Sequence, residues 1–331
     1  MSNIKEIKTG LLAALIAIAV SVNGQDVHLS QFYASPATLN PAMTGTMSEV
    51  FRFSGSYRTQ WSAVVPYSTY ASSFERSINI NSNDKGGVGM TMLNDKTGKN
   101  SGLNMFRFLL SGAYSKCIRG KKGDMIMGIG GQAGYVQKSF YGDFVMPVAG
   151  TSVVSANDAI SYLEFNMGFV SAYSFRRGGS AFIGGSVFHL NRPEESFFTN
   201  SGSNQLNRRW VLHGGLKHES KNSPFAITPN FVLMFMGGAK EINLGANIHY
   251  DFSKTSQTDF ELIVGGWNRL NDALIVYAGL RFDSYELGFS YDFNTSPLKT
   301  SLNGRGALEF NFKYLFKSKS LRLCPFEGLR I

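Results

Sequence analysis

Charge is what this chain has least of. Asp, Glu, Lys and Arg make up 17% of its 331 residues, against about 25% in an ordinary soluble domain. Cysteine is scarce, at two, and proline modest, at nine. Two cysteines exclude a disulfide-stapled scaffold. A disordered chain would be rich in Pro, Glu and Lys and poor in aromatics, whereas this one is 13% aromatic. No collagenous or coiled-coil repeat is present. After residue 25 there is no apolar run near the roughly twenty residues that a helical membrane span takes.

Catalytic patterns are equally short. No nucleophile elbow of the form Gly-x-Ser-x-Gly occurs, since Gly184-Gly185-Ser186-Val187-Phe188 fails at its last position. Ser186 and His189, three apart, fall on opposite faces of a strand, which speaks against a hydrolase. Gly128-Ile129-Gly130-Gly131-Gln132-Ala133 has dinucleotide-turn glycines, but its surroundings alternate as a strand and no helix follows. Close packing or a bend in a strand is expected there instead. The five histidines show no metal-ligand spacing. No enzyme activity and no cofactor is expected.

What is abundant is glycine (36), phenylalanine (27) and tyrosine (14), with a net charge of +9. A basic balance suits an acidic partner, whether nucleic acid, anionic membrane or protein. The basic residues are scattered rather than gathered in a stripe, so nucleic acid is not expected.

Residues 1–24 read as a signal peptide: Lys5 and Lys8, an apolar run from Leu11 to Val20, then small residues before Gln25. That run is too short for a membrane anchor. Residues 25–46 form a polar N-terminal segment, residues 47–317 the main body and residues 318–331 a C-terminal tail.

The main body alternates with period two. Phe51, Phe53, Gly55, Tyr57 and Trp61 share a face opposite Arg52, Ser54, Ser56, Arg58 and Gln60. Leu308, Phe310, Phe312, Tyr314 and Phe316 oppose Glu309, Asn311 and Lys313 in the same way, and similar stretches recur at even spacing. About fourteen strands result, each near the ten residues a tilted strand needs to cross a bilayer. A secreted sandwich is the alternative, but no linker divides the chain. The fold expected is all-β: a transmembrane antiparallel β-barrel of about fourteen strands, aromatic faces toward lipid and a crowded polar bore inside. An even strand count puts both termini on the periplasmic side, with long external loops near 138–160, 191–206 and 294–305. On this map Cys117 lies in a periplasmic turn and Cys324 in the periplasmic tail, so a disulfide is open to them.

Arg52, Arg58, Arg107, Arg209, Arg281 and Lys313 point into the bore with Glu241, Glu261, Glu286 and Glu309, as ion-pair ladders or a pore lining. Trp61 and Trp267 near strand ends suit interfacial anchoring. Asn94, Asp95 and Lys96 have turn composition and, secondarily, partner contact. His189 ends a strand at the external rim, as a hydrogen-bonded rim residue or a ligand contact. Residues 25–46, with Pro36 and Pro41, either fill the bore as a plug or form a docking arm.

Barrel patterning does not explain Gln25-Asp26-Val27-His28-Leu29-Ser30-Gln31-Phe32-Tyr33, nor Asn40-Pro41-Ala42 and Thr44-Gly45 after it. This opening resembles that of the PorP/SprF family, outer-membrane proteins of the type IX secretion and gliding-motility apparatus of Bacteroidetes. Tyr57-Arg58-Thr59-Gln60-Trp61, Asn94-Asp95-Lys96-Thr97-Gly98, Gly185-Ser186 through His189-Leu190-Asn191-Arg192-Pro193, Tyr291-Asp292-Phe293 and the Cys324-Pro325 tail follow in the family's order. Val27 replaces the usual Pro, Thr59 the usual Asn, and Phe326 follows Pro325 directly. The resemblance implies a barrel that binds, anchors or helps export a surface adhesin with a type B C-terminal sorting domain. Some members instead belong to the core machinery bound to a periplasmic ring. A pore for small solutes is the rival function.

Overall fold

Fourteen antiparallel strands close into a barrel, each paired with its neighbours in sequence and the last with the first. The computed structural model describes residues 26–316 except residues 28 and 177 and the segments 61–65, 100–101, 142–158, 198–203, 221–222, 256–258 and 297–305. The signal-peptide reading, Trp61, Cys324 and the tail therefore lie outside the described residues. The strands are β1 (Phe51–Gln60), β2 (Tyr67–Asn79), β3 (Asp84–Thr97), β4 (Gly102–Arg119), β5 (Gly123–Tyr141), β6 (Ala159–Phe175) and β7 (Ser180–Phe188), followed by β8 (Arg209–Glu219), β9 (Phe225–Met236), β10 (Ala239–Asp251), β11 (Phe260–Arg269), β12 (Ala273–Phe282), β13 (Tyr285–Asn294) and β14 (Ala307–Phe316). No helix among them is long and apolar enough to cross a membrane; the crossing elements are strands.

The faces are inverted relative to a soluble protein. Leu110, Ile129, Leu163, Met167 and Leu216 are each more than half exposed, while Arg52, Arg58, Glu75, Glu164 and Glu309 are buried. Only lipid outside and a filled polar interior make that arrangement favourable. The start of β1 and the end of β14 meet at one rim, with Phe51 opposite Phe316. Turns such as 120–122 and 283–284 lie at that rim, the one that the even strand count leads the sequence reading to expect on the periplasmic side. Tyr141 at the end of β5, Phe188 at the end of β7 and Asn294 at the end of β13 lie at the opposite rim.

Two local expectations fail. Asn94, Asp95 and Lys96 form no turn; they pair with Phe106, Met105 and Asn104 inside the β3–β4 ladder. The chain bends only after them, where Gly98 has φ +93. Ladder pairing outweighs the local turn preference of Asn and Asp. Cys117 likewise lies in no turn: the β4–β5 ladder continues to Arg119 opposite Asp124, which leaves Cys117 in β4, buried against Ala42, Met43 and Ile126.

The bore is occupied by the residues that precede β1. They form a 3-10 turn (Phe32–Ala34), a single helical turn α1 (Pro36–Leu39) and a second 3-10 turn (Pro41–Met43). Asn40 caps the last of these, its side chain accepting from Ala42 N at 2.9 Å, with Pro41 in first position, where its missing N–H costs nothing. The barrel wall makes room for this turn: a Cβ on Gly130 would stand 2.5 Å from Pro41 O and 2.6 Å from Ala42 Cα. The glycine run of β5 thus serves close packing, as its strand setting suggests.

The bore is not wholly polar. Phe32, Tyr33 and Leu39 pack on Phe188, Val211, Val232, Ile263, Trp267 and Ile275 of the wall. Trp267 is therefore no interfacial anchor. It is 4% exposed, because on β11 Ile263, Trp267 and Arg269 share the inward face while Val264 and Asn268 face out.

Gly130→Val should dislodge the Pro41–Ala42 turn at a cost of about 1–3 kcal/mol, the usual range for overpacking. The barrel should still migrate as a heat-modifiable species, while amide-exchange protection of residues 41–45 falls.

Candidate functional site

Five contacts hold the N-terminal segment, from one half of the bore down to the rim where β1 begins. At the top, Asp26 lies between three cationic or basic groups of the wall: Arg107 at 2.9 Å, Arg209 at 2.8 Å and His189 Nε2 at 3.3 Å. Arg107 and His189 are themselves held by Glu164, at 3.1 and 3.6 Å. His189 reaches the bore because it follows the last residue of β7 with φ +57, which turns the side chain inward. It is fully buried rather than a rim residue, and the strand-face argument that separated it from Ser186 does not apply past the strand end. Ser186 also faces inward, its hydroxyl donating to Leu39 O at 2.7 Å.

Next come Ser30 and Gln31. Their backbone N–H groups donate to Glu309 at 2.7 and 2.9 Å. The Ser30 hydroxyl donates to Asp292 at 2.7 Å and accepts from Arg58 and Arg269. Both arginines pair with Asp292 at 3.0 Å. Gln31 Nε2 donates to Ser290 at 3.0 Å.

An aromatic patch follows. Phe32 meets Trp267 edge-on at 5.3 Å, and Tyr33 stacks on Trp267 at 5.7 Å and meets Tyr277 edge-on at 5.6 Å. Such pairs contribute about 0.5–1.5 kcal/mol beyond area burial. Below it, Asn40 Nδ2 donates to Phe169 O at 2.8 Å and faces His213 Nε2 at 2.9 Å. At the bottom, Gly45 N donates to Glu75 at 3.0 Å, and Glu75 is gripped by Arg52 at 2.7 Å.

Gln31, Phe32, Tyr33, Asn40 and Pro41 are thus brought together inside the bore, and His189 joins them through Asp26. The other candidates are not part of this assembly. Asn94 bonds Asn104 at 2.9 Å, and the Lys96 ammonium lies 4.2 Å from the Tyr141 ring centre. Asp95 accepts from Thr69 at 2.5 Å. Asn191 ties the β7–β8 connection to β6, donating to Leu163 O at 2.7 Å, and Pro193 O accepts from Leu206 N at 2.9 Å.

The ion-pair ladders are present as well: Lys313 meets Glu286 at 3.1 Å, Arg281 meets Glu286 at 2.8 Å and also Glu261. Reading by strand face placed Asp292 on the inward face with Glu286 and Ser290, but missed Asp26, Glu75, Glu164 and Arg269. Glu164, between Leu163 and Phe165, alternates with apolar neighbours, so its signal was present; Arg269 sits in the turn-like stretch Asn268-Arg269-Leu270-Asn271 but ends β11. Trp267 was harder to place, although the continuous apolar run Leu274-Ile275-Val276-Tyr277 in neighbouring β12 marks a wall apolar on both faces.

Burial alone would raise the Asp26 carboxyl, but Arg107, Arg209 and His189 together hold it well below the ordinary carboxylate range. A depressed native pKa means that the contribution of Asp26 is fully present above the unfolded value of about 4. It is lost only as pH falls through the lower native value. Asp26→Asn should loosen the segment by about 3 kcal/mol, the scale for breaking one side of a buried pair. The difference between wild type and variant, read by amide exchange of residues 29–47, should be the same at pH 7.5 and pH 5 and shrink only below about pH 4.

A comparison with curated proteins finds no match. Among solved structures, the chain is similar in fold to the Ralstonia pickettii toluene transporter TbuX, at 12% identity and a TM-score of 0.53, covering 86% of this chain and 94% of that one. The CymD monoaromatic hydrocarbon channel is 13% identical with a TM-score of 0.48, covering 87% and 94% of the two chains. For the P. putida toluene transporter TodX the identity is 8% and the TM-score 0.46, over 87% and 94%. The family model for the type IX secretion system membrane protein PorP/SprF matches residues 21–314, from before the N-terminal segment into the last strand. The barrel is an outer-membrane protein, and the chain belongs to the PorP/SprF family of type IX secretion system membrane proteins.

Proposed function

We propose that this chain is a non-enzymatic barrel that binds, anchors or assists the export of a partner surface protein, such as an adhesin ending in a type B sorting domain. The observation that carries this reading is the filled bore. Residues 29–47 are buried almost throughout and bonded to the wall along their length, so the barrel offers surfaces rather than an open conduit. The external mouth adds a cavity of 390 Å³ with both signs of charge on its walls, among them Arg58, Lys240, Glu241, Arg269, Asp272 and Asp292. Its floor is the Ser30 junction. A polar segment of an exported chain is the kind of ligand such a vestibule suits.

Transport of small solutes is the second reading, favoured by the likeness to TbuX, a toluene transporter. It requires the N-terminal segment to leave the bore.

Mild-detergent purification of the tagged protein from native outer membranes, with mass spectrometry, separates these readings. A stoichiometric surface protein with a sorting domain supports the proposal; periplasmic ring components alone indicate a core-machinery role, and a clean barrel favours transport. Reversing two rim charges, Lys240→Glu with Asp272→Lys, should reduce recovery of the partner severalfold without changing heat-modifiable migration. Deleting residues 25–44 should raise single-channel conductance of the assembled barrel, and unchanged conductance would contradict the filled bore.

A further inference from the structure

We infer that the outer wall around β4–β7 holds one anionic glycerophospholipid, its phosphate on a basic ledge at the rim where β1 begins and its acyl chains in a groove floored by glycine. The inference stands whichever partner the barrel serves.

The ledge is made by three neighbouring hairpin turns, β2–β3, β4–β5 and β6–β7, which are tied to one another. Arg119 donates to Ser82 O at 3.2 Å, Cys117 N to Asn83 O at 2.7 Å and Arg176 to Gly120 O at 2.9 Å. Lys116, Arg119, Lys121, Lys122 and Arg176 are all exposed on it. The carboxylates of these turns, Asp84 and Asp124, are engaged within them, Asp84 by the Asn81 amide at 2.6 Å and Asp124 by Gly120 N at 3.3 Å. The lysines keep their ammonium donors for an outside acceptor, and phosphate oxygens suit them. Across the barrel the same rim carries Asp251, Asp259 and Asp283 with Lys254, so the basic balance belongs to this sector.

The residues of β4 place the ledge relative to lipid. Leu110, Gly112, Tyr114, Lys116 and Ile118 face outward, while Ser111, Ser115 and Cys117 face the bore. A lysine in a lipid-facing file carries its ammonium to the headgroup level, so Lys116 marks that level. Deeper in the membrane the wall is hollow. Gly112 lies opposite Gly131 in the β4–β5 ladder, and both face lipid. A Cβ on Gly112 would meet no atom within 4 Å, and one on Gly131 only Asn166 O at 3.9 Å. Neither glycine is required by the described wall around it. Beside them Ile129, Met167 and Trp210 are 66%, 54% and 55% exposed, and with Tyr114, Phe169 and Leu212 they line a groove of 960 Å³. Ligand sites commonly hold about 300–1,000 Å³.

Groove and ledge are in register. Tyr114, at the edge of the groove, is two residues from Lys116, and Gly112 is four residues away, or about 14 Å. That is about half of a hydrocarbon core roughly 30 Å thick, the depth to which the chains of one leaflet extend. A lipid whose phosphate rests at Lys116 therefore lays its chains over the glycine pair. An acidic polypeptide would satisfy the ledge but not the groove, and the two together select a lipid.

The test is native mass spectrometry of the full-length barrel in mild detergent, offered palmitoyl-oleoyl phosphatidylglycerol or the phosphatidylcholine with the same chains. Phosphatidylglycerol should be retained as a single copy and phosphatidylcholine far less. Lys116→Gln with Lys122→Gln should lower phosphatidylglycerol retention at least about tenfold, since each cation beside an anionic lipid contributes roughly fivefold. Gly112→Leu with Gly131→Leu, which fills the groove from open space, should lower it severalfold without changing heat-modifiable migration. Equal retention of the two lipids, or full retention in the leucine variant, would overturn the inference. So would a polyglutamate peptide that binds the ledge and is not displaced by phosphatidylglycerol, which would assign the ledge to an acidic polypeptide.

Discussion

A strand that crosses a membrane must pair both of its backbone edges, because lipid offers no hydrogen bonds, and everything else in this molecule follows from that constraint. Closure solves the edge problem but creates an interior. With fourteen strands the bore is wider than the eight-stranded barrels that wall side chains alone can fill. Here the space is taken by the chain's own N-terminal residues. Their backbone groups need partners as much as the wall does, and carboxylates of the wall supply them, as Glu309 does for Ser30 and Gln31.

The charges of the bore therefore do not resemble a pore lining. Arg58, Arg269, Asp292 and Glu309 surround one serine and are themselves buried. Stripped of that serine and its neighbours, Arg58 and Arg269 would keep their pairs with Asp292, but Glu309 would lose the two backbone N–H groups it accepts from, a loss that is costly where little water replaces them. The wall and the segment are complementary halves of one network, with an aromatic patch between two polar grips. Specificity of seating comes from the polar grips, and much of the apolar burial from Phe32, Tyr33 and Trp267.

The wall was legible from the sequence because period-two alternation is read residue by residue, and it set strand number, strand faces and the inward arginines. Errors came where alternation meets its ends. Asn94, Asp95 and Lys96 have turn chemistry yet stay paired, since a long ladder overrides local preference. Cys117 was placed beyond a strand that in fact runs to Arg119. Trp267 was assigned by its place along β11 rather than by its face. The interior contacts of Asp26 could not be read at all: they join residues more than eighty positions apart, and a single sequence carries no trace of which wall charge meets which residue of the segment.

The carboxylate that grips Ser30 and Gln31 belongs to β14, the strand that shuts the barrel against β1. The earliest described residues of the chain thus wait for almost the last. Until Glu309 arrives, the segment lacks one of its anchors, and until β14 pairs with β1 the wall has an open seam. Shutting the seam and seating the segment become one event, so a chain that stops short of the final strand leaves both its wall and its interior unfinished.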